Sequence, residues 1–540
     1  MTAVPFSFRS GSVTDTTAKI GMFTPSDSDV TIAINGAVYT LSSPTTLVGR
    51  GTDSEGGAND SGVEPALYTG VASITGLSTN RTYPYTVTQD GITRTGSLST
   101  NPAGRFSIFF ITCDGRYQLG SDTGCWPYIR KFAEANKVCA IVHADDHGYT
   151  DTMQVDDRGA GGSGQWILSN PQTRKTVFAR VLSYAAYLGL LESDDSGQEM
   201  PYVPRFHEAD RIWCWQNIPI YSQVGDHEFK NNPEESAPDA TLVSSGKTAW
   251  LETLGITNPH IDTNNGLAWV HRIGPLEIIS YDRVTELNNS GGSMYTAGTT
   301  QASSNAAGTW STGDQYLGAN QIADILGEVD TTTKFKLLAM TAGSKFLLNQ
   351  AERIAAFNDA SWAPEQMGSQ QPLHDYSVDS NGDSDWTELM TKKPDSLATK
   401  AAAAGAKIIG LHGDTHRPYV YYHFNPETPT HSQLEMIEVS AGTVNGQGSQ
   451  YLHGIVKPGK QNGGCQCVWL PDWIETVRGE DAVSVAKNNC IRLDVNTAQD
   501  ELTISILESD GTAAGTEVIY SKVVSIDAND ALPAMRQGFI

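Results

Sequence analysis

At 540 residues the chain is too long for one ordinary core, and with 39% hydrophobic residues it can bury at least two. Sixty-one acidic side chains against 36 basic ones give a formal charge of −25 and a pI near 4.8, which excludes nucleic acid or anionic membrane held by broad electrostatics. What remains is a small substrate, or one gripped locally by metal. No segment reaches the roughly 18 consecutive apolar residues of a membrane-crossing helix, so no membrane insertion is expected. Met1-Thr-Ala-Val-Pro-Phe6 lacks the basic start and apolar core of a signal peptide, so the expectation is either no export by a leader or a leader already removed. The seven cysteines (113, 125, 139, 214, 465, 467 and 490) are an odd set spread over a large chain, not a dense disulfide framework.

Residues 1 to about 103 read as all-β. Thr17 to Phe23, Asp29 to Leu41, Leu67 to Ile74 and Thr82 to Gln89 are short Thr-, Val- and Tyr-rich runs separated by Gly, Asn, Asp and Ser, the spacing of a small β-sandwich. The segment from Ile74 to Val87, with Gly76-Leu77 and Tyr83-Pro-Tyr85, resembles the Gly-Leu…Tyr-x-Tyr segment of fibronectin type III-like domains. A structural or spacer role is expected for it, with Ser99 to Gly104 as the linker.

From residue 105 the period changes. Ser107 to Thr112 and Val138 to Val142 are apolar strand candidates flanking a helical stretch around Trp126 to Asn136, a βαβ unit that implies a parallel pair. The Gly-rich turn Arg158 to Gly164 lacks the Gly-Lys-Ser/Thr of a P-loop. Asn170 and Pro171 then open a helix to about Leu191, whose stripe of Val177, Val181, Tyr184 and Leu188 is expected in the core. Ile218 to Val224 is a third strand. After the acidic loop Asn231 to Asp239, the chain predicts a helix near Lys247 to Leu254 and an antiparallel pair, Leu267 to Ile273 with Leu276 to Tyr281. Polar residues 286 to 313 read as a surface insertion, a helix near Gln321 to Leu326 leads to strand Phe335 to Thr341, and a second polar stretch spans 359 to 385. Its Asp379 to Asp385 imitates a calcium loop but lacks the required Gly and Glu, so it reads as a solvated loop. Alanine-rich 397 to 406 is a helix before a fourth strand, Lys407 to Leu411, and Cys490 to Val495, Glu501 to Leu507 and Glu517 to Val524 close the chain as antiparallel strands.

Four strands end alike: in Cys113-Asp114, in His143-Ala-Asp-Asp-His-Gly-Tyr149, in Gly225-Asp-His-Glu228 and in His412-Gly-Asp-Thr-His416. If they are neighbours, their ends converge on one point of a sheet edge, where open α/β sheets hold ligands. A dinuclear site that hydrolyses phosphate esters needs an anionic bridge between two cations, further ligands for each, and a bound hydroxide aimed at phosphorus. Asp146 suits the bridge. Tyr149 as phenolate, Cys113 as thiolate and His416 as imidazole complete a site favouring iron or zinc. Asp226 and Asp414 are hard ligands for a second ion, among calcium, magnesium, manganese and zinc. His227 is placed to protonate the leaving oxygen or to stabilise charge on the phosphoryl group. Any single Asp-His pair is unspecific, and the specificity lies in the ordered set of four. Cys125, Cys139 and Cys214 are expected to be packing, His412 and His423 to be core or rim residues, and Cys465-Gln-Cys467 stays open between metal and disulfide.

Phe110-Ile-Thr-Cys113 and the three later motifs resemble the four signatures of the PhoD-type alkaline phosphatases, a branch of the calcineurin-like metallophosphoesterases. Residues 1–103 are similar to that family's N-terminal β-sandwich, and Leu317 to Gln321 and Ser384-Asp-Trp386 to further family segments, so the resemblance covers most of the chain. It implies a four-layer α/β/β/α metallophosphoesterase sandwich over 104–540 behind an all-β fibronectin type III-like domain at 1–103. It also implies iron (or zinc) at Cys113/Asp146/Tyr149/His416, calcium (or another divalent cation) at Asp146/Asp226/Asp414, and hydrolysis of a small phosphomonoester or phosphodiester. An extracytoplasmic place would follow. Three departures stand out: Asp145 where the family usually has Gly, Gly225 where it usually has the first Asp of Asp-Asp-His-Glu, and Leu254-Gly-Ile-Thr257 without the expected phosphate-gripping Arg. Arg116 is the candidate substitute, with Arg283 and Arg417 as rivals. The competing expectation is a non-catalytic structural or adhesive protein, such as a virion component, that keeps the fold. The oligomeric state is left open by the sequence.

Overall fold

The computed structural model describes residues 6–42, 48–50, 67–114, 124–147, 154–156, 165–167, 209–225, 227–229, 240–261, 266–282, 285, 319–340, 396–413, 418–424, 434–442, 461–462, 465–469, 488–510 and 512–525, with single positions 177, 180, 181, 184, 187 and 188. The expected N-cap at 170–171, the Gly-rich turn, the polar stretches at 286–313 and 359–385, and Arg116, Arg283 and Arg417 lie outside them.

Eight strands come first: β1 Ser7–Gly11, β2 Ala18–Thr24, β3 Val30–Ile34, β4 Ala37–Leu41, β5 Val48–Arg50, β6 Leu67–Ile74, β7 Thr82–Gln89 and β8 Ile92–Ser99. They make two antiparallel sheets, β1-β2-β6-β5 and β4-β3-β7-β8, around a shared core that includes Phe8, Ile20, Ile32, Val87 and Leu98. The single strand expected over 29–41 is a hairpin. Asn35 (φ 51°) and Gly36 (φ 77°) both take the left-handed conformation that a two-residue hairpin turn demands, which Asn and Gly tolerate best. Tyr83 accepts the Ser78 N–H on its phenol oxygen at 2.8 Å, pinning the loop before β7.

β1 was not among the expected strands, because all five of its residues are buried and no polar face alternates with an apolar one. Polar groups in and just beyond it reach the rest of the protein. Arg9 Nη1 donates to Ser222 Oγ at 3.1 Å, and Ser12 Oγ, just beyond the strand, donates to the Thr257 carbonyl at 2.6 Å. Gly11 has no room for a β-carbon, which would lie 2.8 Å from Thr257 Cβ and 2.9 Å from the Ile220 carbonyl oxygen. Tyr85 donates to the Gln216 carbonyl at 2.9 Å. These buried and part-buried contacts run across the expected linker, so the β-rich segment is bonded to the α/β part of the chain.

The later strands are β9 Arg105–Ile111, β10 Val138–Ala144, β11 Gln154–Asp156, β12 Gln165–Ile167, β13 Ile220–Gln223, β14 Trp269–Ile273, β15 Leu276–Ser280, β16 Phe335–Met340, β17 Lys407–His412, β18 Tyr419–Phe424, β19 Leu434–Ser440, β20 Gln461–Asn462, β21 Cys465–Trp469, β22 Asn488–Asn496, β23 Glu501–Ser509 and β24 Thr516–Ser525. The helices are α1 Trp126–Ala135, α2 Ala209–Asn217, α3 Ala240–Glu252, α4 Ala319–Glu328 and α5 Leu397–Ala404. α1 starts with Pro127 in its first turn, and α5 runs from the Ser396 cap, whose hydroxyl accepts the Thr399 N–H, to left-handed Gly405.

One sheet has the order β13-β10-β9-β22-β23-β24 and a second the order β14-β15-β16-β17-β19-β18-β21-β20. β9 and β10 are parallel across α1, as the βαβ reading requires, and the tail strands extend the same sheet antiparallel. Both sheets are mixed. β10 is buried along its whole length, which explains its unbroken apolar run. Between the sheets lies a core of residues such as Ile108, Phe110 and Val142 from one and Ile278, Leu337 and Ile409 from the other. Helical residues Trp126, Trp215 and Trp250 cover the outer face of the first sheet together with Val181, Tyr184 and Leu188, while Ile322, Ile325 and Ala401 cover the second.

The condition that the four motif-bearing strands be neighbours holds for three of them: β9, β10 and β13 lie side by side in the first sheet, but β17 belongs to the second. The ends nevertheless meet, because the sheets face one another. A β-carbon on Gly413, just past β17, would lie 2.6 Å from Thr112 Cγ2, just past β9. Thr112 Oγ1 donates to the Gly442 carbonyl at 2.8 Å beyond β19, and Gln223 Nε2 donates to the carbonyls of Tyr281 and Ala339 at 2.9 and 2.7 Å. The carboxyl ends of both sheets are thus stitched into one rim.

Candidate metal centre

At this rim the backbone leaves ordinary strand geometry. Cys113 (φ 52°), Asp145 (φ 71°) and Asp146 (φ 49°) all take left-handed backbone angles, which cost a non-glycine residue on the order of 1–3 kcal/mol each. β9 and β10 stay paired through these turns: Cys113 N–H donates to the Asp145 carbonyl at 3.3 Å and Asp114 N–H to the Asp146 carbonyl at 3.1 Å. The result brings one donor atom from each of Cys113, Asp145 and Asp146 within 4.8 Å of the others, all buried. Cys113 Sγ is 3.5 Å from Asp146 Oδ2.

Asp114 goes the other way. Its carboxylate accepts from Trp126 Nε1 at 3.4 Å and from Tyr187 at 2.8 Å, and it lies 3.5 Å from Arg211 Nη1, so it ties the strand end to the helical side. Burial and the charge of Asp114 push the Tyr187 phenol well above its ordinary range. Cys113, rather than Asp114, therefore faces the cluster.

Two residues that the motif reading left without a role organise the next layer. Glu228 is fully buried; its Oε1 accepts the His147 N–H and its Oε2 the Gly225 N–H, each at 2.6 Å. Arg180 donates to the carbonyls of Glu228 and Phe229, holding the third motif from behind. Glu228 was legible as a motif member, but nothing in the sequence around Arg180 pointed to this contact. The rings of His143 and His147 lie against each other at a tilt of 34°, with centroids 3.7 Å apart, and His147 meets Trp250 edge-on at 5.0 Å. Burial pushes both imidazoles well below their ordinary pKa, and the nearby Arg9 guanidinium adds to this. His147 Nδ1 is 3.6 Å from Glu228 Oε1, an approach that would favour the imidazolium, but desolvation outweighs it. Arg9, equally enclosed, has its own pKa lowered to about 9.

Of the expected site residues, Cys113 and Asp146 come together, and Asp145 joins them. His227 sits in a half-buried turn between Gly225 and the Glu228 clamp. Tyr149, Asp226, Asp414 and His416 lie outside the described residues, as does Arg116. Cys125, Cys139 and Cys214 are buried and unpaired in disulfides, as expected of packing residues. The donor set of one thiol and two carboxylates suits a metal ion, and the enclosed space above Gly225 is filled by one of those carboxylates.

No family profile and no curated protein sequence matches the chain. Among solved structures, a carbohydrate acetylesterase from Xanthomonas citri is 10% identical over 51% of this chain and 79% of that one, with a TM-score of 0.14, too low to put the folds in correspondence. The structure of PhoD is 12% identical and matches with a TM-score of 0.51 over 97% of this chain and 93% of that one. The chain therefore has a PhoD-like, mixed α/β fold.

Proposed function

We propose that this protein is a metal-dependent hydrolase of small phosphate esters, in which 1–103 forms a fibronectin type III-like domain and 104–540 a four-layer α/β/β/α catalytic domain. The observation that carries this reading is the buried Cys113/Asp145/Asp146 cluster at the joined carboxyl rim of two facing sheets, in a PhoD-like fold. The packing of helices outside each sheet supports the four-layer reading, and the Tyr83 anchor supports that of the N-terminal domain.

In this proposal Cys113, Asp146, Tyr149 and His416 would hold iron or zinc, and Asp146, Asp226 and Asp414 would hold calcium or another divalent cation, with Asp146 shared. When bound, such cations supply Lewis-acid activation of water and neutralise phosphoryl charge. The chain's own residues do the rest. Asp146 orients the centre from a left-handed turn that fixes its carboxylate. His227, half-buried rather than enclosed, can keep contact with solvent and substrate, and it gives a proton or hydrogen bond to the leaving oxygen. Glu228 fixes the backbone on both sides of that turn. Arg116 grips phosphate. The net negative surface leaves substrate capture to these local groups.

The test is elemental analysis of the purified protein, paired with hydrolysis of nitrophenyl phosphate mono- and diesters before and after chelation. Bound metal and chelator-sensitive hydrolysis are expected. A metal-free protein that hydrolyses neither ester would point to the non-catalytic alternative.

A further inference from the structure

The position before the shared carboxylate carries a second one. Asp145 is fully buried, stands in the left-handed conformation, and offers an oxygen within 4.8 Å of Cys113 Sγ and of an Asp146 oxygen. Metal–ligand bonds of about 2.0–2.3 Å allow donor atoms on one ion to be up to roughly 4.6 Å apart. An ion can therefore reach all three with a shift of a few tenths of an ångström.

The space for this carboxylate is made across the rim by Gly225. A β-carbon there would overlap Asp145 Oδ1 and would lie 2.6 Å from Asp146 N and 2.8 Å from Glu228 Oε2. A side chain at 225 would meet the Asp145 carboxylate, the Asp146 backbone and Glu228 together, and this chain has Asp at 145 and glycine at 225. The two motif departures at these positions are thus one arrangement, in which a carboxylate stands on the second motif instead of the third.

Electrostatics gives that carboxylate a purpose. Two buried carboxylates beside a thiol repel one another once ionised, and a cation held among them offsets that repulsion.

We propose that Asp145 is itself a ligand of the metal centre, giving it a Cys113/Asp145/Asp146 donor set in which Asp145 supplies a hard anionic oxygen to the thiolate-bound ion. The inference rests on the metal-dependent reading of the protein, and it is tested with a probe that does not depend on turnover. Protein stripped by chelation is titrated with Co(II), whose d–d bands report the ligand set and whose thiolate charge-transfer band reports Cys113, for wild type and for Asp145→Asn and Asp145→Ala. The expected result is that both variants keep the charge-transfer band, shift the d–d bands, and bind Co(II) about 10- to 100-fold more weakly. Asparagine preserves the shape of the side chain and removes its charge, so without metal the variant should keep the wild-type circular dichroism and melt no lower than wild type. Wild-type d–d bands and Co(II) affinity in both variants would overturn the assignment of Asp145 while leaving the phosphoesterase proposal intact. A wild-type protein that takes up no cobalt, iron, zinc or calcium would overturn both.

Discussion

Glu228 holds His147 by its backbone, accepting the His147 N–H at 2.6 Å, and with its other oxygen it accepts the Gly225 N–H at the same distance. One buried side chain thereby ties the loop bearing Asp145 and Asp146 to the loop bearing His227. Hydrogen bonds to a charged group contribute about 1.5–3 kcal/mol each, and amides left unsatisfied in the interior cost a similar amount. Glu228→Ala should therefore lower unfolding free energy by about 2–4 kcal/mol in urea, with Glu228→Gln intermediate because one of its two ends donates instead of accepting. A change below about 1 kcal/mol in the alanine variant would show that the clamp is not needed to hold the loops.

Asp146→Asn should lower the content of every metal the protein binds and reduce turnover by on the order of 10³-fold or more, since an amide cannot provide a bridging anion. The readout is elemental analysis beside nitrophenyl phosphate kinetics. Full occupancy with normal turnover would reject the bridge.

His227→Ala should leave metal content nearly unchanged while reducing kcat by roughly 10²–10⁴-fold, the usual scale of acid–base help. The loss should be larger for alkyl phosphates, whose leaving oxygen needs a proton, than for nitrophenyl esters. Equal losses would favour electrostatic stabilisation, and a collapse in metal content would make His227 a ligand.

Gly413→Ala tests the seam between the sheets. The added methyl would lie 2.6 Å from Thr112 Cγ2 and 2.8 Å from Thr112 Cβ, an overpacking that typically costs about 1–3 kcal/mol. Thr112→Ser removes the nearer methyl and keeps the hydroxyl that bonds Gly442. In a double-mutant cycle the serine should restore part of the stability lost in Gly413→Ala. Strict additivity would mean that the two strand ends do not press on each other.

The buried imidazole of His271 makes stability depend on pH. Val13 N–H donates to the Tyr221 oxygen at 3.1 Å, and the phenol and His271 Nε2 share a hydrogen bond at 2.7 Å, enclosing the imidazole. Burial lowers the His271 pKa from 6.5 to about 4. The unfolded chain takes up this proton first, so the stabilisation is fully present above pH 6.5 and is lost as pH falls from there to about 4, a contribution of about 3 kcal/mol. His143 and His147, lowered in the same direction, add to the slope. Unfolding free energy measured at pH 7, 5.5 and 4.5 should fall less steeply in His271→Gln than in wild type. Parallel slopes would remove His271 as a contributor.

Much of this protein was legible in one dimension. The apolar runs of β9, β10, β13 and β17, the stripe of Val181, Tyr184 and Leu188, and the motif residues Cys113 and Asp146 stand out because strand and helix periods, and ligand chemistry, are local properties of a chain. The Asn35-Gly36 turn is equally local, though it lies inside a longer β run. Other features are local in no sense. Ile108 and Ile409 sit in similar apolar runs, yet they belong to different sheets that face each other, because pairing is decided by which faces can bury one another. Arg9 is buried against Ser222, and Arg180 reaches the backbone of Glu228, contacts that depend on where distant segments pack. Asp145 shows the division most sharply. Its identity was visible as a departure from the resembling motif, and so was the glycine at 225; that the carboxylate of one fills the space vacated by the other could be decided only when two strand ends were folded to within bonding distance, where exclusion between atoms takes over from pattern.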